Sequence, residues 1–301
     1  MRMDLGFDGR VAIITGAGGA LGRSHSLELA RRGAKVVVND VGGSVHGEGE
    51  AKTPAQQVVD EIIALGGQAI ANFASVTTPA GGEAILASAL DAFGRVDILV
   101  NNAGILRDRA FHNMGSEDID AVLDVHLRGA MFVTQPAFKL MREQRYGRII
   151  NTTSASGLFG NFGQANYGAA KAGLLGLTRV LAQEGARVNI LVNAIAPLAR
   201  TRMTNGLLGD LEALLDPQCV SAAVAYLAHE NCAVNGHVYS VAGGRIARIF
   251  MAESRGVVLP DLTAEAVRDN LGPIDLPDDF MVPDSLSEES NIIREAIGAK
   301  P

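Results

Sequence analysis

Seven short, nearly unbroken apolar runs, each set off by a longer amphipathic stretch, give residues 10–244 their rhythm. A strand buried on both faces reads as continuous apolar sequence, whereas a strand with one wet face alternates. The expected strands are 10–15, 35–39, 68–73, 96–100, 148–151, 188–194 and 237–241. Helical spacing fills the gaps at 22–32, 54–65, 82–93, 117–143, 166–184 and 217–229. This is the pattern of repeated βαβ units, hence an α/β fold with a doubly wound parallel sheet. One domain over residues 1–244 and a C-terminal extension over 245–301 are expected.

Composition narrows the function classes. A formal charge of −7 argues against nucleic acid as a partner, since phosphate binding needs a basic face. Two cysteines, Cys219 and Cys232, are too few for a disulfide framework and fit a reducing compartment. Residues 1–7 lack the apolar run of a secretory signal, and Lys300-Pro301 does not resemble a peroxisomal address. No stretch approaches the ~18 apolar residues of a membrane span. The expectation is a cytoplasmic protein acting on a small molecule. No histidine spacing suggests a metal.

Two segments stand outside the rhythm. Val41–Glu50 is a glycine-rich loop longer than most strand-to-helix connections. The extension offers helix starts at Thr263 and at the capping box Ser285-Leu286-Ser287-Glu288. It reads equally as a packed appendage and as a cover over a substrate pocket.

The first run leads into Thr15-Gly16-Ala17-Gly18-Gly19-Ala20-Leu21-Gly22 and then a helix. Gly16, Gly18, Gly19, Leu21 and Gly22 are candidates for a turn that seats a dinucleotide pyrophosphate on a helix N-terminus. Asp40 follows 24 residues beyond Gly16, near the usual offset of an acid that binds a ribose 2′-hydroxyl. A carboxylate there repels a 2′-phosphate and favours NAD. Asp40 as a simple turn cap is the alternative.

Farther on stand Ser154, Tyr167 and Lys171. Tyr167 and Lys171 are four apart and share a helix face. Bringing a tyrosine about 3 units down toward neutrality needs about 4 kcal/mol of preference for the phenolate. A nearby ammonium is a source of it. Ser154 follows a strand and is placed to bond a substrate oxygen.

These elements, with Asn101-Asn102-Ala103-Gly104 and Ala196-Pro197, resemble the short-chain dehydrogenase/reductase family over residues 8–244. The resemblance implies a seven-stranded Rossmann-like sheet and hydride transfer with nicotinamide, Tyr167 acting as acid/base, Lys171 holding the ribose and Ser154 orienting substrate. By the same matching, Ser75 and Val76 touch the adenine, Asn102, Ala103 and Gly104 line the ribose region, and Pro197 and Ala199–Arg202, Thr201 included, face the nicotinamide. A homodimer or homotetramer packed through 117–143 and 166–184 is implied as well.

Val38–Gly43, Asn101–Asp108, Val125–Gly129 and Ser154–Tyr167 are similar to a subgroup, the (3R)-hydroxyacyl-CoA dehydrogenases of peroxisomal β-oxidation and their free-standing bacterial relatives. That implies an acyl-CoA thioester oxidised with NAD, with a steroid as a further substrate class. Hydroxysteroid dehydrogenase, 3-ketoacyl thioester reductase and non-catalytic nucleotide binder are the alternatives. Many members have Gly where Ala20 stands, so a methyl group must fit beside the pyrophosphate. His126 stands where the wider family has a catalytic Asn and reads either as a proton-relay member or as a helix histidine bonded to backbone. Arg107, Arg109 and Arg128 read as CoA-phosphate contacts or as ordinary surface arginines. The stretch 202–216 follows the subgroup poorly.

Overall fold

The computed structural model describes residues 5–49, 53–201, 209–276 and 278–298. Two compact units divide the chain, Met1–Arg248 and Ile249–Pro301. In the first, strands β1 (Val11–Thr15), β2 (Lys35–Asn39), β3 (Gln68–Asn72), β4 (Ile98–Asn101), β5 (Gly147–Thr152), β6 (Ile190–Leu198), β7 (Val238–Ala242) and β8 (Arg245–Ile249) form one sheet. Its order is β3-β2-β1-β4-β5-β6-β7-β8, and every neighbouring pair through β7 is parallel.

Continuous apolar strands are explained by what lies on each face. Alternate residues of β1 feed opposite layers: Ala12 and Ile14 enter one core cluster, Val11 and Ile13 the other. The same division sends Val36 and Val38 one way and Val37 the other, and separates Ile98 and Val100 from Leu99. Helices α1 (Ala20–Arg31), α2 (Thr53–Ala64), α3 (Pro79–Phe93), α4 (Ser116–Leu123), α5 (Gly129–Gln144), α6 (Ala155–Phe159), α7 (Ala165–Gly185) and α8 (Pro217–Ala228) complete this unit.

Three expectations need correction. The sheet has eight strands rather than seven, because Gly243 and Gly244 do not end it. Both glycines have positive φ (52° and 85°), as a two-residue hairpin turn requires, and the chain returns as β8. The single helix expected over 117–143 is three segments: α4, a wider π-type turn at Asp124–Arg128, and α5. Such a turn inserts a residue without breaking the apolar face, which is why periodicity misses it. The sixth strand begins at Ile190 instead of Val188, since residues 186–188 form a helical turn closed by Asn189 at φ 58°.

In the second unit, two-residue strands β9 (Glu253–Ser254) and β10 (Phe280–Met281) pair antiparallel beside helices α9 (Ala264–Asp269), α10 (Leu271–Ile274) and α11 (Leu286–Ala296). Thr263 and Ser285 cap α9 and α11 as their sequence suggests. Glu288 of the capping box reaches back to the amide of Asp284, not to that of Ser285. None of the described residues of this unit is buried.

The last residues of several strands are polar and bond across the sheet. Asn39 faces Asn72, and Asn101 faces Asn151. The Asn101 amide donates to Asn151 Oδ1 (2.9 Å) and Thr134 Oγ1 (2.8 Å), while Asn151 Nδ2 donates to Thr178 Oγ1 of α7 (2.9 Å). These groups are buried, so their partners replace water and tie α5, β4, β5 and α7 into one register. Asn151→Ala strands the donor of Asn101 and frees Thr178. It is expected to destabilise the protein by about 2–4 kcal/mol. A urea midpoint shifted by less than about 1 kcal/mol equivalent contradicts that role.

Candidate active site

Strand β1 ends at Thr15 between β2 and β4, where the strand order reverses. Open α/β sheets bind ligands in the crevice at such reversals. Thr15 Oγ1 accepts the amides of Asn102 (3.0 Å) and Ala103 (3.1 Å), and Asn102 Nδ2 donates back to the carbonyls of Thr15 (3.0 Å) and Gly16 (3.1 Å). The glycine-rich turn is thereby pinned to the loop after β4.

The glycines do separate jobs. At Gly16, φ is +63° and a Cβ would sit 2.7 Å from Ala103 Cα; at Gly22 it would sit 2.2 Å from the Gly16 carbonyl oxygen. Gly16 thus permits the turn, and Gly22 lets α1 close against it. Gly18 makes room for Asp40, whose Oδ2 would lie 2.9 Å from a Cβ there. Gly19 holds the cap position and brings no side chain to the first amides of α1. Ala20 takes φ +47°, so its methyl is accommodated at a backbone strain of about 1–2 kcal/mol.

Asp40 Oδ2 accepts the Gly18 amide (2.8 Å) and Oδ1 accepts the Gly42 amide (2.6 Å). The turn-capping alternative is therefore part of what Asp40 does. Each oxygen retains a second lone pair for a ribose hydroxyl. Beyond it, the glycine-rich loop folds over the loop after β4. The Leu106 amide donates to Val45 O (2.8 Å), His46 Nδ1 lies 3.0 Å from Leu106 O, and Arg107 Nε donates to His46 O (3.1 Å).

A cavity of about 620 Å³ runs along this crevice, within the roughly 300–1,000 Å³ range of ligand sites. Gly16, Gly19 and Leu21 line it, with Asp40, Ser75 and Val76 toward β2 and β3. Asn102, Ala103 and Gly104 line it from the loop after β4, and Tyr167, Lys171, His126, Pro197 and Thr201 line it as well. Gly18, Gly22 and Ser154 do not; the two glycines act through packing. Arg202 lies outside the described residues.

Tyr167 and Lys171 sit one turn apart on α7, with Lys171 Nζ 5.5 Å from the phenol ring centroid. Lys171 is buried and donates to the Thr152 carbonyl at the end of β5. Burial lowers its pKa to about 7. Around Tyr167, burial raises the pKa, a hydrogen bond with Ser154 lowers it and the Asp108 charge raises it, for a net upward direction in the free protein. The free protein therefore favours the phenol, because burial of the phenolate outweighs the hydrogen bond from Ser154. Ser154 caps α6, accepting the Ser156 amide (3.2 Å), which places its Oγ beside Tyr167.

His126, in the π-type turn, is buried edge-on to Tyr167, with ring centroids 5.0 Å apart. Its Nε2 lies 2.8 Å from the Ile105 carbonyl and 3.0 Å from the Ile105 amide, and its Nδ1 has no hydrogen-bond partner. Burial, then the charge of Lys171, hold its pKa well below the ordinary histidine value. Gly104 leaves room for this ring, since a Cβ there would lie 2.4 Å from His126 Cε1. Arg107 and Arg109 both turn to Asp118 (3.8 and 3.5 Å), and Arg128 pairs with Asp124 (2.6 Å).

The sequence reading missed Asp108, which lines the cavity and is felt by Tyr167. No spacing rule marks a loop aspartate of that kind. It also missed the Thr152 carbonyl, because a backbone acceptor leaves no signature in residue types.

Comparison with known proteins decides the family. A model described as short chain dehydrogenase matches residues 10–210. The chain belongs to the short-chain dehydrogenase family. Over 300 residues it is 46% identical to peroxisomal multifunctional enzyme A of Dictyostelium discoideum, covering 99% of this chain and 67% of that one. A hydroxyacyl-CoA dehydrogenase of Mycobacterium tuberculosis is 42% identical over 261 residues, 80% of each protein. The solved full-length peroxisomal multifunctional enzyme type 2 of Drosophila melanogaster superposes with TM-score 0.83 at 40% identity, covering 98% of this chain but 50% of that one. The chain thus spans only part of the multifunctional relatives.

Membership implies a nicotinamide cofactor, and the cavity tests the fit. The side-chain-free cavity lining at Gly16 and Gly19, the bare N-terminus of α1 and the Asp40 carboxylate suit a pyrophosphate and an adenosine ribose. Tyr167 and Lys171 add polar groups to the lining of the same crevice. Among the described residues, no three His, Cys, Asp or Glu side chains gather as metal ligands would, and no helix is long and apolar enough to cross a membrane.

Gly22→Ala forces α1 away from a backbone oxygen that cannot yield. Dinucleotide affinity, read by fluorescence titration with NADH, is expected to fall at least about tenfold. Unchanged affinity contradicts the close packing of α1 on the turn.

Proposed function

We propose that the chain oxidises a (3R)-hydroxyacyl-CoA to the 3-ketoacyl-CoA with NAD, using Tyr167 as the acid/base. The observation that carries this reading is that Tyr167, hydrogen-bonded to Ser154, and Lys171 line the same crevice as Asp40. The hydroxyacyl-CoA part rests on the names of the relatives.

When bound, NAD supplies the hydride acceptor, and its cationic nicotinamide ring favours the phenolate. Ser154 orients the substrate hydroxyl beside Tyr167, and the Tyr167 oxygen takes the hydroxyl proton as hydride leaves the carbinol carbon. Lys171, fixed by the Thr152 carbonyl, binds the nicotinamide ribose and stabilises the phenolate in its charged form. With one ring nitrogen bonded to the Ile105 backbone, His126 stays neutral next to Lys171, and its unpartnered Nδ1 is left as a hydrogen-bond acceptor in the buried shell. Asp40 selects NAD because its charge opposes a 2′-phosphate, and this weighs against a reductive biosynthetic role. The dimeric or tetrameric state expected from the family belongs to this same reading. The eukaryotic relatives are named as peroxisomal, so they lend no support to the cytoplasmic expectation.

The test follows NADH formation with (3R)- and (3S)-hydroxyacyl-CoA thioesters and hydroxysteroids, with NAD and NADP, on the native protein and Tyr167→Phe. Oxidation of the (3R) thioester with NAD is expected, with turnover reduced about 10²–10⁴-fold in the variant at unchanged NADH affinity. Activity on steroids alone rejects the substrate assignment. Retained turnover in Tyr167→Phe rejects the acid/base assignment.

A further inference from the structure

Among the described residues that line the cavity, Asp108 is the acidic side chain that the proposed chemistry leaves unused. It lies on the loop after β4 and lines the same cavity as Tyr167, Ser156, Asn161 and Gln164. Its carboxylate is aimed: Gln164 Nε2 donates to Asp108 Oδ2 (2.6 Å), and Gln164 Oε1 in turn accepts from Asn161 Nδ2 (3.0 Å). Gln164 immediately precedes α7, the helix that carries Tyr167, so the carboxylate is fixed relative to the phenol.

Nearby cations do not cancel this charge directly. Arg107 and Arg109 flank Asp108 in sequence, but both guanidiniums turn to Asp118. Lys171 is buried and lies on α7 with Tyr167, His126 is neutral, and His46 is occupied with Leu106. The effect reaches the reacting group, since the Asp108 charge opposes ionisation of Tyr167.

We propose that Asp108 makes the site selective for thioesters by repelling unesterified 3-hydroxy acids from Tyr167. In a 3-hydroxy acid the carboxylate is two bonds from the carbinol carbon. Bringing that carbon to Tyr167 therefore brings a second negative charge into the part of the cavity that Asp108 lines. A thioester carries the same carbinol with no charge at that position. Discrimination by like-charge repulsion in a partly wet cleft is worth about tenfold, or about 1.4 kcal/mol. This inference rests on the hydroxyacyl thioester reading and names what that site rejects.

The experiment compares kcat/KM for the N-acetylcysteamine thioester of (R)-3-hydroxybutyrate with that for free (R)-3-hydroxybutyrate, in the native protein, Asp108→Asn and Asp108→Glu. The ratio of free acid to thioester is expected to rise about tenfold in Asp108→Asn and to stay near the native ratio in Asp108→Glu. With the thioester, the acid limb of the kcat/KM profile is expected at lower pH in Asp108→Asn, because the charge opposing the phenolate is gone. A merely structural Asp108 lowers both substrates together, and an unmoved ratio overturns the proposal. Oxidation of free acid but no thioester by the native protein rejects the hydroxyacyl thioester reading itself, as does oxidation of neither, and this inference falls with it.

Discussion

Taking a lysine ammonium out of water costs free energy unless something holds it, and here the carbonyl end of β5 does so. Lys171 donates to Thr152 O from a buried position one turn below Tyr167. That bond joins the C-terminal end of β5, an interior strand, to the helix bearing the phenol. It depends in turn on β5 staying in register, which the Asn101–Asn151–Thr178 chain enforces from the neighbouring strand to α7. Holding the amine low and dry brings its pKa to about 7, so its charge is sensitive to what occupies the crevice.

The nucleotide side follows from close approach. Gly16, Gly18 and Gly22 each leave a place that another backbone or the Asp40 carboxylate fills. The loop over residues 41–49 then lies across Ile105 and Leu106, held by the Val45–Leu106 backbone bond. Asp40 thus has two tasks, closing the turn at Gly18 and starting this loop at Gly42, before any ribose arrives. The same carboxylate therefore organises the glycine-rich turn and the start of the loop that follows it.

Much of this was legible in the chain. Apolar runs mark the central strands β1, β4 and β5 because these are buried throughout, and the turn, Asp40 and the Tyr167–Lys171 pair stand in plain spacing. What escaped has physical causes. The π-type turn at Asp124–Arg128 keeps the apolar face continuous, and β8 hides behind a Gly-Gly pair that resembles an end. Spacing shows the Lys171 neighbour of Tyr167 but not how far burial holds the phenol in its protonated form. Asp108 was invisible since its importance comes from a cavity shared with residues over fifty positions away.

The central claim is that the Tyr167 proton is held by burial and released when the crevice fills. Tyrosine labelled at Cζ with ¹³C, four residues in all, lets each phenol be titrated by NMR, with Tyr167→Phe assigning the signal. Tyr167 is expected to titrate above the ordinary tyrosine value in the free protein and to titrate lower on saturation with NAD. A phenolate already present at neutral pH in the free protein, or a titration that ignores NAD, contradicts the account.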